Sequence, residues 1–214
     1  MKRTRFTTLD TWGELQPDRR IDFNGFFWRR AAGNVLIDPM TPTDLCRSVV
    51  AESGGARWIL LTNHDHWRST SEWRELTGAE IVAPRGDRER FQDHAAQVAH
   101  WFGSDQPLPG NLAEDVVPTI IRGGKSEVEA AFLLGPLNVL LFGDVVRSHA
   151  CGELRLLPEE KLSDPDLVRE TLPRDFAAPL EAILLGDGDS LFRGAEITYR
   201  DFLAALDLAS DVED

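Results

Sequence analysis

Residues 63–68 read Asn63-His64-Asp65-His66-Trp67-Arg68, placing two imidazoles, a carboxylate and a guanidinium within six positions. His64-x-His66 has the spacing of two metal ligands on one loop, and neutral imidazole with ionised carboxylate is what a divalent transition ion takes. The same residue types suit metal-free acid/base work, because histidine titrates near neutrality and a carboxylate can orient its ring. A third reading is bland: His66 bonds a neighbouring carboxylate and only holds the loop. Two further signals are weaker. His149-Ala150-Cys151 could pair a thiol with a base but lacks a third partner at ligand spacing. Gly123-Gly124-Lys125-Ser126 echoes the end of a phosphate loop without the upstream glycine that such a loop needs.

The loop must be carried by something rigid. Residues 57–62 form a short, nearly continuous apolar run, the pattern of a strand covered on both faces, so a buried strand delivers residues 63–68 at its carboxyl end. Upstream, residues 22–30 and 34–38 read as a hairpin, with Gly33 free to take positive φ. Thr41-Pro42-Thr43-Asp44 reads as a helix start with a hydroxyl cap and proline in the first turn, and Gly54-Gly55 as its stop. Ser69 and Glu72 fit a capping box that opens a helix directly behind the loop, ended by Gly78. Residues 79–83 read as a strand, and residues 87–102 as an amphipathic helix with Phe91, Ala95, Val98 and Phe102 on one face and His94 and His100 at its rim. Residues 104–114 are a turn region. Strands are expected at 116–121, 130–134, 138–142 and 182–185, a loop at 147–165, and helices near Asp166 and from Thr198 to Leu206.

Composition narrows the classes. The 214 residues are 42% hydrophobic, enough for one core, and a single domain over residues 1–214 is expected. A formal net charge of -13 argues against nucleic acid or an anionic membrane as partner, since binding phosphate polymers draws on excess Lys and Arg. Trp28, Trp67, Trp73 and Phe27 therefore read as core or pocket wall rather than a base-stacking platform. Cys46 and Cys151 are too few for a disulfide framework, and the basic start lacks an apolar segment after it. A cytoplasmic protein with reduced thiols is expected, with a homodimer left open.

With these elements in place, the chain resembles the metallo-β-lactamase-fold superfamily. Leu36-Ile37-Asp38-Pro39 looks like that family's early strand end, and Leu60-Leu61-Thr62 with the following loop looks like the run carrying its His-x-His-x-Asp-His motif. Gly124-Lys125-Ser126 falls where a Gly-His-Thr turn is expected, Phe142-Gly143-Asp144 resembles the strand end with the bridging aspartate, and Leu185-Gly186-Asp187-Gly188 the closing Gly-His-Gly. The resemblance implies an α/β (α+β) fold, a four-layer αββα sandwich, and hydrolysis by water activated on one or two zinc ions between the sheets. Carried over position by position, Asn63, Asp65, Trp67 and Arg68 stand where the motif has His, His, Asp and His. Lys125 and Asp187 replace two further histidines, and only Asp144 is retained.

The departures have a charge pattern: Arg68 and Lys125 bring fixed cations to seats that metal ions occupy, facing Asp65, Asp144 and Asp187. A salt-bridge network in place of the zinc pair is the expectation, with no cofactor or at most one divalent ion (zinc, iron or manganese) on Asp65, His66, Asp144 and Asp187. His64 enters that set only if the motif register slips. The functional classes are a hydrolase using Asp65, His66 and Asp144, or an inactive scaffold. Either would bind a small molecule, and Asn63, Arg68, Lys125 and Arg147 suit an anionic one.

Overall fold

In the computed structural model, which describes residues 1–210, side chains alternate along the strands between two apolar layers. Strands β1 (Lys2–Arg3), β2 (Leu9–Gln16), β3 (Ile21–Trp28), β4 (Val35–Ile37), β5 (Trp58–Leu60), β6 (Glu80–Pro84) and β7 (Val98–Phe102) form one sheet in that spatial order. Its first four strands run antiparallel and its last four parallel. The second sheet has β8 (Val116–Arg122), β9 (Val128–Leu134) and β10 (Val139–Phe142) as a meander, with β13 (Ala182–Leu185) parallel to β10. A two-stranded ribbon of β11 (Val146–Arg147) and β12 (Arg155–Leu156) lies between β10 and β13 in sequence.

Three apolar clusters hold four layers together. Val35, Ile37, Trp58, Leu60 and Val82 from the first sheet meet Phe132, Leu134, Leu141 and Leu184 from the second, forming the core between sheets. The alternate residues Leu36, Ile59, Ile81 and Ala83 face outward onto α1 (Asp44–Glu52) and α2 (Thr70–Thr77), through Cys46, Val50 and Trp73. On the other side, Ile121, Leu140, Phe142, Ile183 and Leu185 face α4 (Pro165–Thr171) and α5 (Ala195–Ser210), through Val168, Ala195, Tyr199 and Leu203. A short α3 (Leu112–Asp115) precedes β8. The period-2 alternation of strands buried on both faces produces this αββα sandwich.

Several elements differ from the sequence reading. Residues 85–97 form 3-10 turns broken at Gln92 (φ 48°), and Val98–Phe102 is a strand pairing with β6, so the helix expected over 87–102 does not exist. Edge pairing with β6 satisfies backbone groups that a helix would have satisfied internally. The α1 cap is Thr43, whose hydroxyl accepts the Cys46 N–H, with Pro42 before the cap. Ser69 makes no side-chain cap bond, and Glu72 instead accepts from Arg47 at 2.8 Å. Residues 1–16, to which the pattern assigned no strand, supply β1 and β2. Gly33 does take positive φ (112°) between β3 and β4.

Phe132, fully buried between the sheets and 5.8 Å from Phe102 ring to ring, tests this layering. Phe132→Ala should lower unfolding free energy by about 3–5 kcal/mol in chemical denaturation, whereas Val117→Ala, at an exposed position, should change it by less than about 0.5 kcal/mol.

Candidate functional site

The carboxyl ends of β5, β10 and β13 converge at one end of the sandwich. Phe142 pairs with Leu185 in parallel register, so Asp144 and Asp187, each two residues further on, emerge side by side. The loop after β5 is locked to the second sheet by the Ala130 N–H donating to the Thr62 carbonyl at 2.9 Å. Both intervening glycines are required by close approach: a Cβ on Gly143 would lie 2.4 Å from Thr62 Oγ1, and one on Gly186 2.7 Å from His66 Cε1. Asn24 of β3 ties the first sheet to this corner, its N–H donating to Gly186 O at 2.7 Å.

His66 sits at the centre and is buried. Its Nδ1 lies 2.7 Å from Asp38 Oδ2 and 3.0 Å from Thr62 Oγ1, and Thr62 donates from both N and Oγ1 to the Asp38 carboxylate. Its Nε2 faces Asp144 Oδ1 at 3.4 Å and Arg68 Nη2 at 3.1 Å. Burial and the Arg68 guanidinium push the His66 pKa down, but Asp38 and Asp144 outweigh them and raise it to about 10. Nδ1 donates to Asp38, and Nε2 either accepts from Arg68 in the neutral ring or, in the imidazolium favoured by the carboxylates, forms the ion pair with Asp144.

Arg68 takes an unusual backbone conformation for a non-glycine residue, φ 42° and ψ -117°. Its Nη1 donates to Asn24 O at 2.6 Å, its Nη2 lies 3.7 Å from Asp187 Oδ1, and its guanidinium stands 5.3 Å from the Phe23 ring centroid. Arg147 Nη2 donates to Asp187 Oδ2 at 2.8 Å. Burial, then Asp144, raises the Asp187 pKa despite these cations. Asn63 Oδ1 accepts the His66 N–H, while its Nδ2 donates to Glu129 Oε2 at 3.2 Å and to Asp144 Oδ2 at 3.4 Å. Burial and the Asp144 charge raise the Glu129 pKa. Burial also opposes ionising Asp144, but His66, Lys125 and Arg68 outweigh it and hold its pKa low. Of this pair, Glu129 keeps the proton.

A second cluster lies beside the first. His64 donates its backbone N–H to Asp87 Oδ2, and its Nδ1 lies 2.7 Å from the same oxygen and 3.1 Å from Ser126 Oγ. Its Nε2 is 3.0 Å from Asp65 Oδ1, and Lys125 Nζ pairs with the other Asp65 oxygen. Hydrogen bonds to Asp65 and Asp87 raise the His64 pKa to about 9. The His64 bond holds Asp65 well below the usual carboxylate range, with Lys125 adding to it against partial burial.

Asn63, His66, Arg68, Asp144, Arg147 and Asp187 are thus brought together. Ligand atoms of His66, Asp144 and Asp187 all lie within 4.8 Å of one another, a group that could hold a metal ion. Asp65 and Lys125 pair with each other at the rim, and Asp65 and His64 lie outside that group. His149 and Cys151 are exposed, and His94 stacks on Trp67 at 4.4 Å. Glu129, Asp38, Thr62 and Asp87 escaped the candidate set. Asp38 carried a signal as the polar end of an apolar run, whereas Glu129 and Asp87 gain their roles only from folding.

The comparisons with known proteins bear on this corner. The family profile described as the metallo-beta-lactamase superfamily matches residues 1–206. The chain belongs to that superfamily. Among solved structures, it is similar to a metallo-beta-lactamase from Pontibacter korlensis (TM-score 0.69, 12% identity, covering 94% of this chain and 97% of that one). Similar too are one from Hirschia baltica (TM-score 0.62, 13% identity, 92% of each chain) and the Pseudomonas aeruginosa metallo-beta-lactamase FIM-1 in its mono-zinc form (TM-score 0.66, 12% identity, 94% and 91%). At these identities the likeness establishes the fold. No curated protein matches the chain. The superfamily usually binds zinc, and a zinc pair does not fit the residues of this member. Amide, indole, guanidinium and ammonium groups (Asn63, Trp67, Arg68, Lys125) are not zinc ligands, and Arg68 Nη2 crowds the one imidazole nitrogen offered to the group.

The charges of the second cluster set a pH dependence. Because the His64 pKa is raised from 6.5 to about 9, its contribution to stability is full below about pH 6.5 and fades as pH rises through about 9. The lowered Asp65 pKa works oppositely, its contribution being present above its ordinary value and lost as pH falls towards the folded one. The melting temperature of His64→Gln should therefore fall furthest below that of the parent near pH 6, and the gap should narrow by pH 10. A gap that widens with rising pH would contradict the assignment. Separately, Gly186→Ala should destabilise by at least about 2 kcal/mol in chemical denaturation, since the added methyl meets both His66 and the Gly143 carbonyl.

Proposed function

We propose that this metallo-β-lactamase-fold protein, hydrolase-like in architecture, has a cleft that works without the dinuclear zinc centre, its buried carboxylates being neutralised by Arg68, Arg147 and His66 and its rim by Lys125. The observation that carries this reading is the position of Arg68 Nη2, 3.1 Å from His66 Nε2 and 3.7 Å from Asp187 Oδ1. The guanidinium thus lies against two of the three groups, His66 and Asp187, that an ion held there would use. Its fixed positive charge offsets part of the carboxylate charge there, without the Lewis acidity of a metal ion.

Such a cleft is better suited to holding a small anion than to hydrolysis. Asp38 and Asp144 raise the His66 pKa and favour its protonated form, and Asp144, held ionised by three cations, is a weak base. Water activation by Asp65, His66 and Asp144 therefore lacks a group poised near neutral pH. Lys125 at the rim is half-exposed and can reorient from Asp65 towards a carboxylate or phosphate. No helix among the described residues is long and apolar enough to cross a membrane. The cytoplasmic reading continues to rest on two free cysteines, Cys46 and Cys151.

One observation favours a second reading, a single divalent ion: the 4.8 Å grouping of His66, Asp144 and Asp187. Elemental analysis of protein purified without a metal-affinity tag separates the two. Substoichiometric zinc, iron and manganese are expected, and one tightly held ion per chain would overturn the first reading. Arg68→Ala should lose about 1–3 kcal/mol of stability, because Asn24 O loses its donor and Asp187 is left with Arg147 as its one paired cation. Added zinc should raise the melting temperature of that variant and leave the parent unchanged.

A further inference from the structure

A pocket of about 480 Å³ is lined by Lys2, Arg3, Thr4, Arg5, Thr11, Phe192 and Arg193. It lies at the other end of the sandwich from the carboxylate cluster. Arg5 pairs with Glu181, which immediately precedes β13, whereas Asp187 follows that strand. Four cations and no carboxylate line this pocket in a chain whose net charge is -13. Chance would favour acidic walls.

The pairing of these cations leaves an excess. Arg5 is taken by Glu181, and Arg3 lies 3.7 Å from Asp10, whose carboxylate is already bonded by Arg29 at 2.5 Å. Among the described residues Lys2 and Arg193 have no ion-pair partner. The Thr4 and Thr11 hydroxyls are committed to backbone carbonyls of Leu9 and Gly25, so polar recognition falls to the cations. The floor is apolar: Phe192 packs against the core between the sheets, as does Phe6, over which the Arg5 guanidinium stands at 4.8 Å. The opening therefore combines two unpaired positive charges with an aromatic floor. It matches a dianion that carries a flat apolar group.

We infer that this pocket is a second ligand site, separate from the inter-sheet cleft, for an organic phosphate monoester with an aromatic or nucleobase body, its phosphate held by Lys2 and Arg193 and its ring laid against Phe192. The phosphate makes charge-assisted bonds that a neutral analogue cannot make. The ring removes apolar surface from water that inorganic phosphate leaves exposed. Because all four cations are exposed, binding weakens with added salt.

The test uses adenosine monophosphate, adenosine and inorganic phosphate as probes in calorimetric titration of the full chain at low salt. Adenosine monophosphate should bind at least about tenfold more tightly than either part, since two partial interactions are combined. Arg193→Ala and Lys2→Ala should each weaken it about fivefold, as for loss of one exposed charge pair, and Arg193→Lys should restore most of the loss. Both residues are exposed, so melting temperatures should stay at the parent value and exclude misfolding as the cause. Lys125→Ala should leave this binding unchanged. The inference falls if adenosine monophosphate gives no saturable heat at millimolar concentration, if the Lys2 and Arg193 variants bind it as the parent does, or if Lys125→Ala abolishes binding, which would place the nucleotide in the cleft.

Discussion

Four carboxyl groups, those of Asp38, Glu129, Asp144 and Asp187, are buried at one end of the two sheets, and charges taken from water cost several kcal/mol each unless compensated. The surrounding arrangement follows from that cost. Glu129 keeps its proton and receives the Asn63 amide and backbone N–H groups rather than a cation. Asp38 and Asp144 share the His66 imidazolium, and Asp187 takes Arg147 with Arg68 beyond it. The strained Arg68 backbone is part of the same balance. An unfavourable φ of order 1–3 kcal/mol is smaller than the penalty of leaving a buried carboxylate unpaired.

The same balance limits the chemistry. A metal ion entering at His66 would have to displace the Arg68 guanidinium and a proton, then compensate the loss of both. The anion proposed for this cleft would meet less resistance, because Lys125 is bound to Asp65 at a half-exposed rim where exchange of partners costs little. Superfamily membership fixes the scaffold, whereas the side chains at the strand ends determine what the scaffold can hold.

Elements whose pattern reflects burial on both faces were legible from sequence. β5, β10 and β13 are short apolar runs ending in polar residues, and their ends carry Asn63, Asp144 and Asp187. The stretch 85–102 misled because Phe91, Ala95, Val98 and Phe102 repeat at helical spacing, yet Phe91 packs against Trp67 and Trp101 from 3-10 turns while Phe102 reaches the core between sheets from an edge strand. Local periodicity cannot register an open sheet edge waiting beside β6. Glu129 was illegible for a related reason. It stands just before the strand expected at 130–134, where a carboxylate gives no sign of burial, and only the fold brings Asn63 and the Val145 N–H to it.

The spacing that first suggested two ligands on one ion has its explanation in the local helix. Residues His64–Trp67 form a 3-10 turn, where successive side chains step by about 120°, so residues two apart diverge instead of sharing a face. His66 turns inward to Asp38 and Asp144, and His64 turns aside to Asp65 and Asp87. The divergence gives each imidazole two carboxylate neighbours and separates two networks of alternating charge, one buried and one at the rim. In an extended loop, where residues two apart do share a side, His64 and His66 could have pointed together at one centre. The turn set by the Asn63 side chain accepting the His66 N–H therefore helps decide whether these histidines meet an ion or each other's counter-charges.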